Sequence, residues 1–298
     1  MPLENINGAV MHYRVQGEGI PILFIHPPLL TSANFRYQQV QLSNEFQVIT
    51  FDIRGHGQSG RSNVPITYEL IVEDMKQLMD RLKIKQAYIC GYSTGGSIAL
   101  EAMLTHPERF MGGIMVSAMS EVSDFVLKNR IRIAVGLSRW KAAIRLLMLG
   151  ITWGNSDGVK TFRNLLRDSK RGNVANINQY YKYSLGYSCT KNLSLIKAPV
   201  LLLYGKKDWS FKRYRKKLQE GLTRYDLMIF EDEKHQLPTK AADEMNEIIR
   251  RWIRVHQYNI NHKGTAPIVT PKAFMFEDQS QLETTKFTES HSPPFGRL

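Results

Sequence analysis

Three polar residues far apart in the chain have the types and settings that nucleophilic acyl chemistry requires. Ser93 lies in Gly91-Tyr92-Ser93-Thr94-Gly95-Gly96, after the apolar run Ala87-Tyr88-Ile89-Cys90 and before a helical pattern. A serine at such a strand-to-helix corner is held in a tight turn, so small residues are needed two positions to either side, and its oxygen is presented at the sheet edge. The helix that follows aims its N-terminus at the same point and favours negative charge developing there. G-x-S-x-G by itself recurs in loops by chance. Its position behind a buried strand makes it specific.

A serine hydroxyl is a weak nucleophile at neutral pH and needs a base, and the base needs a group to orient it. Asp208 follows the apolar run 199–204 through Gly205-Lys206-Lys207, and His235 follows the run 226–230 through Glu231-Asp232-Glu233-Lys234. Both therefore fall on loops at the carboxyl ends of expected strands, where open α/β sheets build their sites. Taken singly, each has a plainer reading. Asp208, near Lys206, Lys207, Lys212, Arg213 and Arg215, reads as a surface ion-pair partner, and His235 reads as a loop histidine. The combination outweighs both: Ser93 as nucleophile, His235 as general base and Asp208 as its orienting acid, in one of the chain orders such triads adopt.

The elements that must position these residues follow from apolar periodicity. Nearly continuous apolar runs at 20–25, 46–52, 86–92, 110–117, 199–204 and 226–230 read as strands buried on both faces, and 8–16 as an antiparallel edge. Between them, Ile71, Met75, Leu78 and Leu82 mark one face of a helix over 70–82, with Thr67 as its N-cap. A second helix opens at Gly95 and stops at His106-Pro107, and a last one spans 241–257. Strands alternating with helices give an α/β fold class, a mostly parallel sheet with helices on both faces. The alternation breaks at 121–196, a helical stretch that reads as an inserted lid between core segments 1–120 and 197–257. The polar, proline-bearing stretch 258–298 reads as a disordered tail.

Bulk composition sets the limits. The chain has 298 residues, 43% hydrophobic and 22% charged, enough for one large domain with an insertion. No apolar run approaches the ~18 residues a membrane span needs. Glu4, Arg14 and Glu18 interrupt the first twenty residues, where a signal peptide is apolar, so a cytoplasmic location is expected. Two cysteines, Cys90 and Cys189, give no disulfide framework. The net charge of +13 attracts anions at long range, yet most Lys and Arg solvate surfaces. No nucleic-acid motif with interleaved stacking aromatics is present, so no nucleic-acid partner is expected. No Cys/His cluster or phosphate-binding glycine loop calls for a metal or an organic cofactor.

Over 1–257 the sequence resembles the α/β-hydrolase superfamily in its lid-bearing, esterase-like branch. The elbow carries the resemblance together with Asp52-Ile53-Arg54-Gly55-His56-Gly57-Gln58-Ser59, similar to the family's D-x-R-G-x-G-x-S segment. Ile22-Leu23-Phe24-Ile25-His26, Tyr204-Gly205-Lys206-Lys207-Asp208-Trp209 and Lys234-His235 add to it. The resemblance implies two backbone donors for the oxyanion, one from Thr94 and one from the loop after His26. This chain departs from the family there: it has His26-Pro27-Pro28-Leu29, and the residue aligned with the usual loop donor, Pro28, has no N–H. The Leu29 N–H is the expected replacement, with Thr31 or Ser32 side chains as alternatives. Serine at the elbow, where dehalogenases and epoxide hydrolases of this fold carry aspartate, implies acyl transfer to and from Ser93.

The expected substrate is a small or medium carboxylic ester. Tyr92 and Trp209 beside the triad are expected to contact it. So are Trp140 and Trp153 of the lid, whose Leu146, Leu147, Met148, Ile151, Tyr180, Tyr181, Tyr183 and Tyr187 either line a pocket or pack the lid on the core. Two other readings stay open: thioester, carbon–carbon bond or cofactor-free perhydrolysis chemistry on the same triad, and a slow-turnover ligand-binding signalling protein of this fold. The oligomeric state is not legible in the sequence.

Overall fold

Eight strands assemble into one sheet in a computed structural model that describes residues 3–138 and 140–261. In chain order the strands are β1 (Leu3–Ile6), β2 (Ala9–Gln16), β3 (Ile20–Ile25), β4 (Phe46–Phe51), β5 (Ala87–Tyr92), β6 (Phe110–Val116), β7 (Val200–Gly205) and β8 (Tyr225–Phe230). Their order across the sheet is β1-β2-β4-β3-β5-β6-β7-β8. The first two pairings are antiparallel and all others parallel. The segment read as an antiparallel edge is β2, but it lies one strand in. β1, too short and polar to show in the apolar pattern, forms the edge beside it.

The helices are α1 (Arg36–Leu42), α2 (Tyr68–Arg81), α3 (Thr94–Thr105), α4 (Phe125–Leu137), α5 (Lys141–Gly154), α6 (Val159–Ser169), α7 (Val174–Gly186), α8 (Lys212–Gly221), α9 (Leu237–Lys240) and α10 (Ala242–Asn261). Thr67 caps α2 by accepting from the Leu70 N–H at 3.1 Å, and α3 ends at His106, before Pro107. β5 is buried along its whole length, as are Ile98, Ala99 and Leu100 of α3 behind it. Continuous apolarity in these strands thus corresponds to coverage on both faces.

Parallel register aligns the strand ends that matter. Ile25 of β3 lies opposite Gly91 of β5, Tyr92 opposite Val116 of β6, and Gly205 of β7 opposite Phe230 of β8. Loops leaving these ends emerge along one edge of the sheet. Helices α4 to α7 fill the connection between β6 and β7. An isolated antiparallel bridge between Glu121 and Ser188 closes the base of that insertion, helped by Cys189 N–H donating to the Ser120 carbonyl at 3.0 Å.

Contacts divide the chain into two units, 1–247 and 248–298. In the second, the described residues continue α10, where the His256 Nδ1–H donates to the Trp252 carbonyl at 2.9 Å. Helix therefore extends through 258–261, where the sequence reading begins its tail, and the rest of that tail, 262–298, lies outside the described residues. No helix among the described residues is long and apolar enough to cross a membrane.

Candidate active site

Ser93 occupies a single-residue corner between β5 and α3 with φ 55° and ψ −123°, a conformation that L-residues rarely adopt. The corner is possible because Gly91 lacks a side chain: a Cβ there would lie 2.4 Å from the Gly95 carbonyl oxygen. The Ser93 N–H donates to the Val116 carbonyl at 2.9 Å, which pins the corner to β6. Thr94 opens α3, so its N–H precedes the first helical hydrogen bond.

The acid and base arrive on adjoining loops. Gly205 ends β7 so close to the base loop that a Cβ would meet the Lys234 carbonyl oxygen at 2.2 Å. The Lys206 N–H donates to Phe230 O at 2.8 Å and the Lys207 N–H to Glu233 O at 2.9 Å, so the two loops are laced together. The flanking lysines are occupied elsewhere, Lys206 pairing with Glu231 and Lys207 with Asp232 at 2.8 Å. Asp208, with its carboxylate nearly buried, pairs instead with His235. The plainer reading of Asp208 as a partner for surface lysines is thereby set aside.

His235 Nδ1 lies 2.7 Å from Asp208 Oδ2, and its Nε2 lies 3.1 Å from Ser93 Oγ. A carboxylate only accepts, so Nδ1 carries the proton and Nε2 is left free to accept from the serine. Aromatic rings hold the imidazole plane: Phe211 at 4.2 Å between centroids and Tyr92 at 5.3 Å. Phe211, three residues after Asp208, is a positioning group that the sequence reading missed.

The loop after β3 is anchored by His26. Its Nδ1–H donates to the Pro27 carbonyl at 2.9 Å and its Nε2 accepts from the Ile53 N–H at 2.9 Å, fixing one neutral tautomer. Burial holds this imidazole below its ordinary pKa, consistent with that role. Asp52 supports the same loop by accepting from the Ser32 N–H at 2.8 Å, the Ser32 hydroxyl at 2.6 Å and the Gln58 N–H at 2.9 Å. Leu29 is buried, at φ 65°, and its N–H donates to no protein acceptor among the described residues. A buried N–H without a partner is rare in folded proteins.

A cavity of about 160 Å³ contains Ser93 and His235. Pro27, Pro28, Leu30, Tyr92, Thr94 and Met119 form its lower wall, and Leu127, Ile131, Ile151, Asn155 and Tyr181 its upper wall. Of the lid residues expected near a pocket, Ile151 and Tyr181 line this cavity. Trp140, Trp153 and Trp209 are 73%, 62% and 79% exposed and do not. Trp153 turns to the opposite side of α5 from Ile151 and Asn155 and meets Phe162 of α6 edge-on. Tyr180 and Tyr183 of α7, with Tyr187 at its C-cap, bond to the His26 carbonyl, Glu69 and Glu101, tying α7 to the loop after β3, to α2 and to α3. Leu127 and Ile131 of α4 stand four apart, as do Ile151 of α5 and Asn155 at its C-cap; of these only Ile151 is singled out by the sequence. Among the described residues, no group of His, Cys, Asp or Glu side chains is placed to hold a metal ion.

Comparisons with known proteins agree with this fold. The family model for the alpha/beta hydrolase fold matches residues 20–238. Serine hydrolase BPHL of Mus musculus is 26% identical over 259 residues, covering 84% of this chain and 84% of that protein. Among solved structures, an esterase (EaEST) from Exiguobacterium antarcticum superposes with a TM-score of 0.76 at 19% identity, over 85% of this chain and 98% of that one. The enol-lactonase from Burkholderia xenovorans LB400 gives 0.75 at 18% identity, over 85% and 100%. With a family model matched across most of its length and a sheet, elbow and inserted helices to go with it, the chain belongs to the alpha/beta hydrolase fold family.

Proposed function

We propose that the protein hydrolyses a small carboxylic ester through an acyl-enzyme on Ser93. The observation that carries this reading is the unbroken contact from Asp208 through His235 to Ser93, at 2.7 and 3.1 Å. His235 Nε2 takes the hydroxyl proton as the Ser93 oxygen bonds to the ester carbonyl carbon. The resulting tetrahedral oxyanion is received by the N–H groups of Thr94 and Leu29. Its collapse breaks the carbon–oxygen bond, and the leaving alcohol departs with the proton from His235. Water then repeats the sequence, giving its proton to His235 and its oxygen to the acyl carbon, and the acid leaves as Ser93 regains its proton. Asp208 orients the imidazole and balances its charge while it is protonated.

The helical segment 121–196 acts as a cap, because residues from α4, α5 and α7 complete the cavity over Ser93. The small, mostly apolar cavity favours short acyl groups, in keeping with relatives named serine hydrolase and esterase. Cys90 and Cys189, both buried and unpaired, fit a reducing compartment, and we place the protein in the cytoplasm. One feature favours a second reading, a ligand-binding protein with slow turnover: Pro28 has no N–H to offer the oxyanion.

A p-nitrophenyl ester series on the wild type and Ser93→Ala separates the two. Acetate or butyrate hydrolysis that falls by about 10³-fold or more in the variant supports the esterase. No turnover at any acyl length, with only slow labelling of Ser93 by a fluorophosphonate, supports the ligand-binding protein.

A further inference from the structure

A second cavity, of about 410 Å³, opens between the cap and the core and shares no lining residue with the cavity around Ser93. Its walls come from β2, the turn at Ser32–Phe35, α1, α6 and α9. Four cationic side chains line it, Arg14, Arg36, Lys160 and Arg167, against one carboxylate, Asp168. That carboxylate is already held by Arg167 at 2.9 Å. Nearby Asp157 accepts from the Tyr37 hydroxyl at 2.5 Å. Arg14 and Lys160 form no ion pair among the described residues, and Arg36 contacts only the amide oxygen of Gln39, at 3.3 Å.

The buried wall of this cavity points to a ligand. Asn34 is 1% exposed, lines the space, and has neither its amide nitrogen nor its amide oxygen in a hydrogen bond. The Nε of Arg14 is likewise buried without a partner. Leaving such groups unsatisfied costs about 1–3 kcal/mol each, so protein interiors seldom contain them without something to bind. The rim residues Arg36, Lys160 and Arg167 are exposed and keep their charges in water until an anion enters.

We propose that this cavity binds a small phosphate-bearing molecule at a site separate from the proposed triad. A phosphate group presents several acceptor oxygens and a double negative charge, matching Arg14, Arg36 and Lys160, none of which is neutralised by an acid. The Asn34 amide adds one donor for a phosphate oxygen and one acceptor for a hydroxyl on the ligand's carbon skeleton. Because α6 belongs to the cap and the Asn34 turn to the core, the bound ligand ties the two together.

The test is calorimetric titration of the full chain carrying Ser93→Ala with inorganic phosphate, pyrophosphate and citrate. Pyrophosphate is expected to bind one per chain, more tightly than citrate, and to raise the thermal midpoint. Arg14→Gln and Asn34→Leu each weaken binding by about tenfold or more. Lys160→Gln, exposed and safe for folding, weakens it by a smaller factor and leaves ester hydrolysis unchanged in the Ser93 protein. Replacing Lys212 and Arg213 of α8 by glutamine, outside the cavity, leaves binding intact. Absence of saturable heat from phosphate and pyrophosphate overturns the proposal. So does tighter binding of citrate, or a loss in the α8 variant equal to that in Arg14→Gln, which would mean net charge alone.

Discussion

The Tyr92 hydroxyl donates to the Asn155 amide oxygen at 2.8 Å, joining the residue before Ser93 to the C-cap of α5. Asn155 in turn donates to the Ile151 carbonyl at 2.9 Å, and all three residues line the cavity over Ser93. Tyr92 is buried and its phenol is held well above its ordinary pKa by that burial, so it remains a donor throughout the working pH range. Removal of this hydroxyl is expected to loosen the end of α5 beside the cavity that contains Ser93. Tyr92→Phe is expected to lower kcat/KM for p-nitrophenyl esters by about tenfold, with a loss of about 1–2 kcal/mol in urea unfolding.

Pro28→Ala tests how the oxyanion is held. Under the proposed assignment of the Leu29 N–H as second donor, a new N–H at 28 is redundant, and kcat is expected to stay within about threefold of wild type. A rise of about a hundredfold, the worth of one donor, would show that the loop lacks a second donor until Pro28 is replaced. Steady-state kinetics with p-nitrophenyl acetate measures it.

The strained corner at Ser93 makes its own prediction. Alanine keeps a Cβ at φ 55°, ψ −123°, whereas glycine has none. Ser93→Gly is therefore expected to be more stable than Ser93→Ala by about 1–3 kcal/mol, while both lose ester hydrolysis. Thermal and urea unfolding of the two variants side by side provides the comparison.

Acid should weaken the fold well above the carboxylate range. Burial pushes the His56 imidazole down to about 3, with the neighbouring His26 adding to the effect, and burial lowers His26 as well. In the unfolded chain these rings take up protons below about 6.5, so the unfolded state binds more protons and stability falls as pH drops from there toward 3. Asp52 extends the loss. Burial alone would raise its pKa, but His12, His26, Gln58 and Ser32 together hold it at about 2, so its contribution is present above about 3.9 and lost as pH falls through 2. Urea unfolding between about pH 7 and about pH 5 is expected to show the decline, and His56→Gln to flatten it by up to about 1.4 kcal/mol per pH unit.

Much of the fold is legible in the amino-acid sequence. Burial of a parallel strand on both faces writes itself as an uninterrupted apolar run, and a strand end followed by Gly91-Tyr92-Ser93-Thr94-Gly95 permits only a tight corner. Thr67 and Pro107 mark helix boundaries because capping and proline sterics act within a few residues. β1 was missed because a four-residue polar edge strand has no periodicity to show, and α8 because its charged residues mask the two that are buried, Tyr214 and Leu218.

What the sequence determined by itself was local: which residues sit at strand ends, which turn must be glycine-lined, and which residue types are present for acyl chemistry. Tertiary structure alone decided which side chains meet. Lys206 and Lys207 turn to Glu231 and Asp232, leaving Asp208 for His235, and Trp140 and Trp153 face solvent while Ile151, Asn155 and Tyr181 close over Ser93. The physical reason is that pairing and burial depend on distance in space, set by sheet register and by the packing of α4 to α7, and residues 142 apart carry no trace of that distance in their order along the chain.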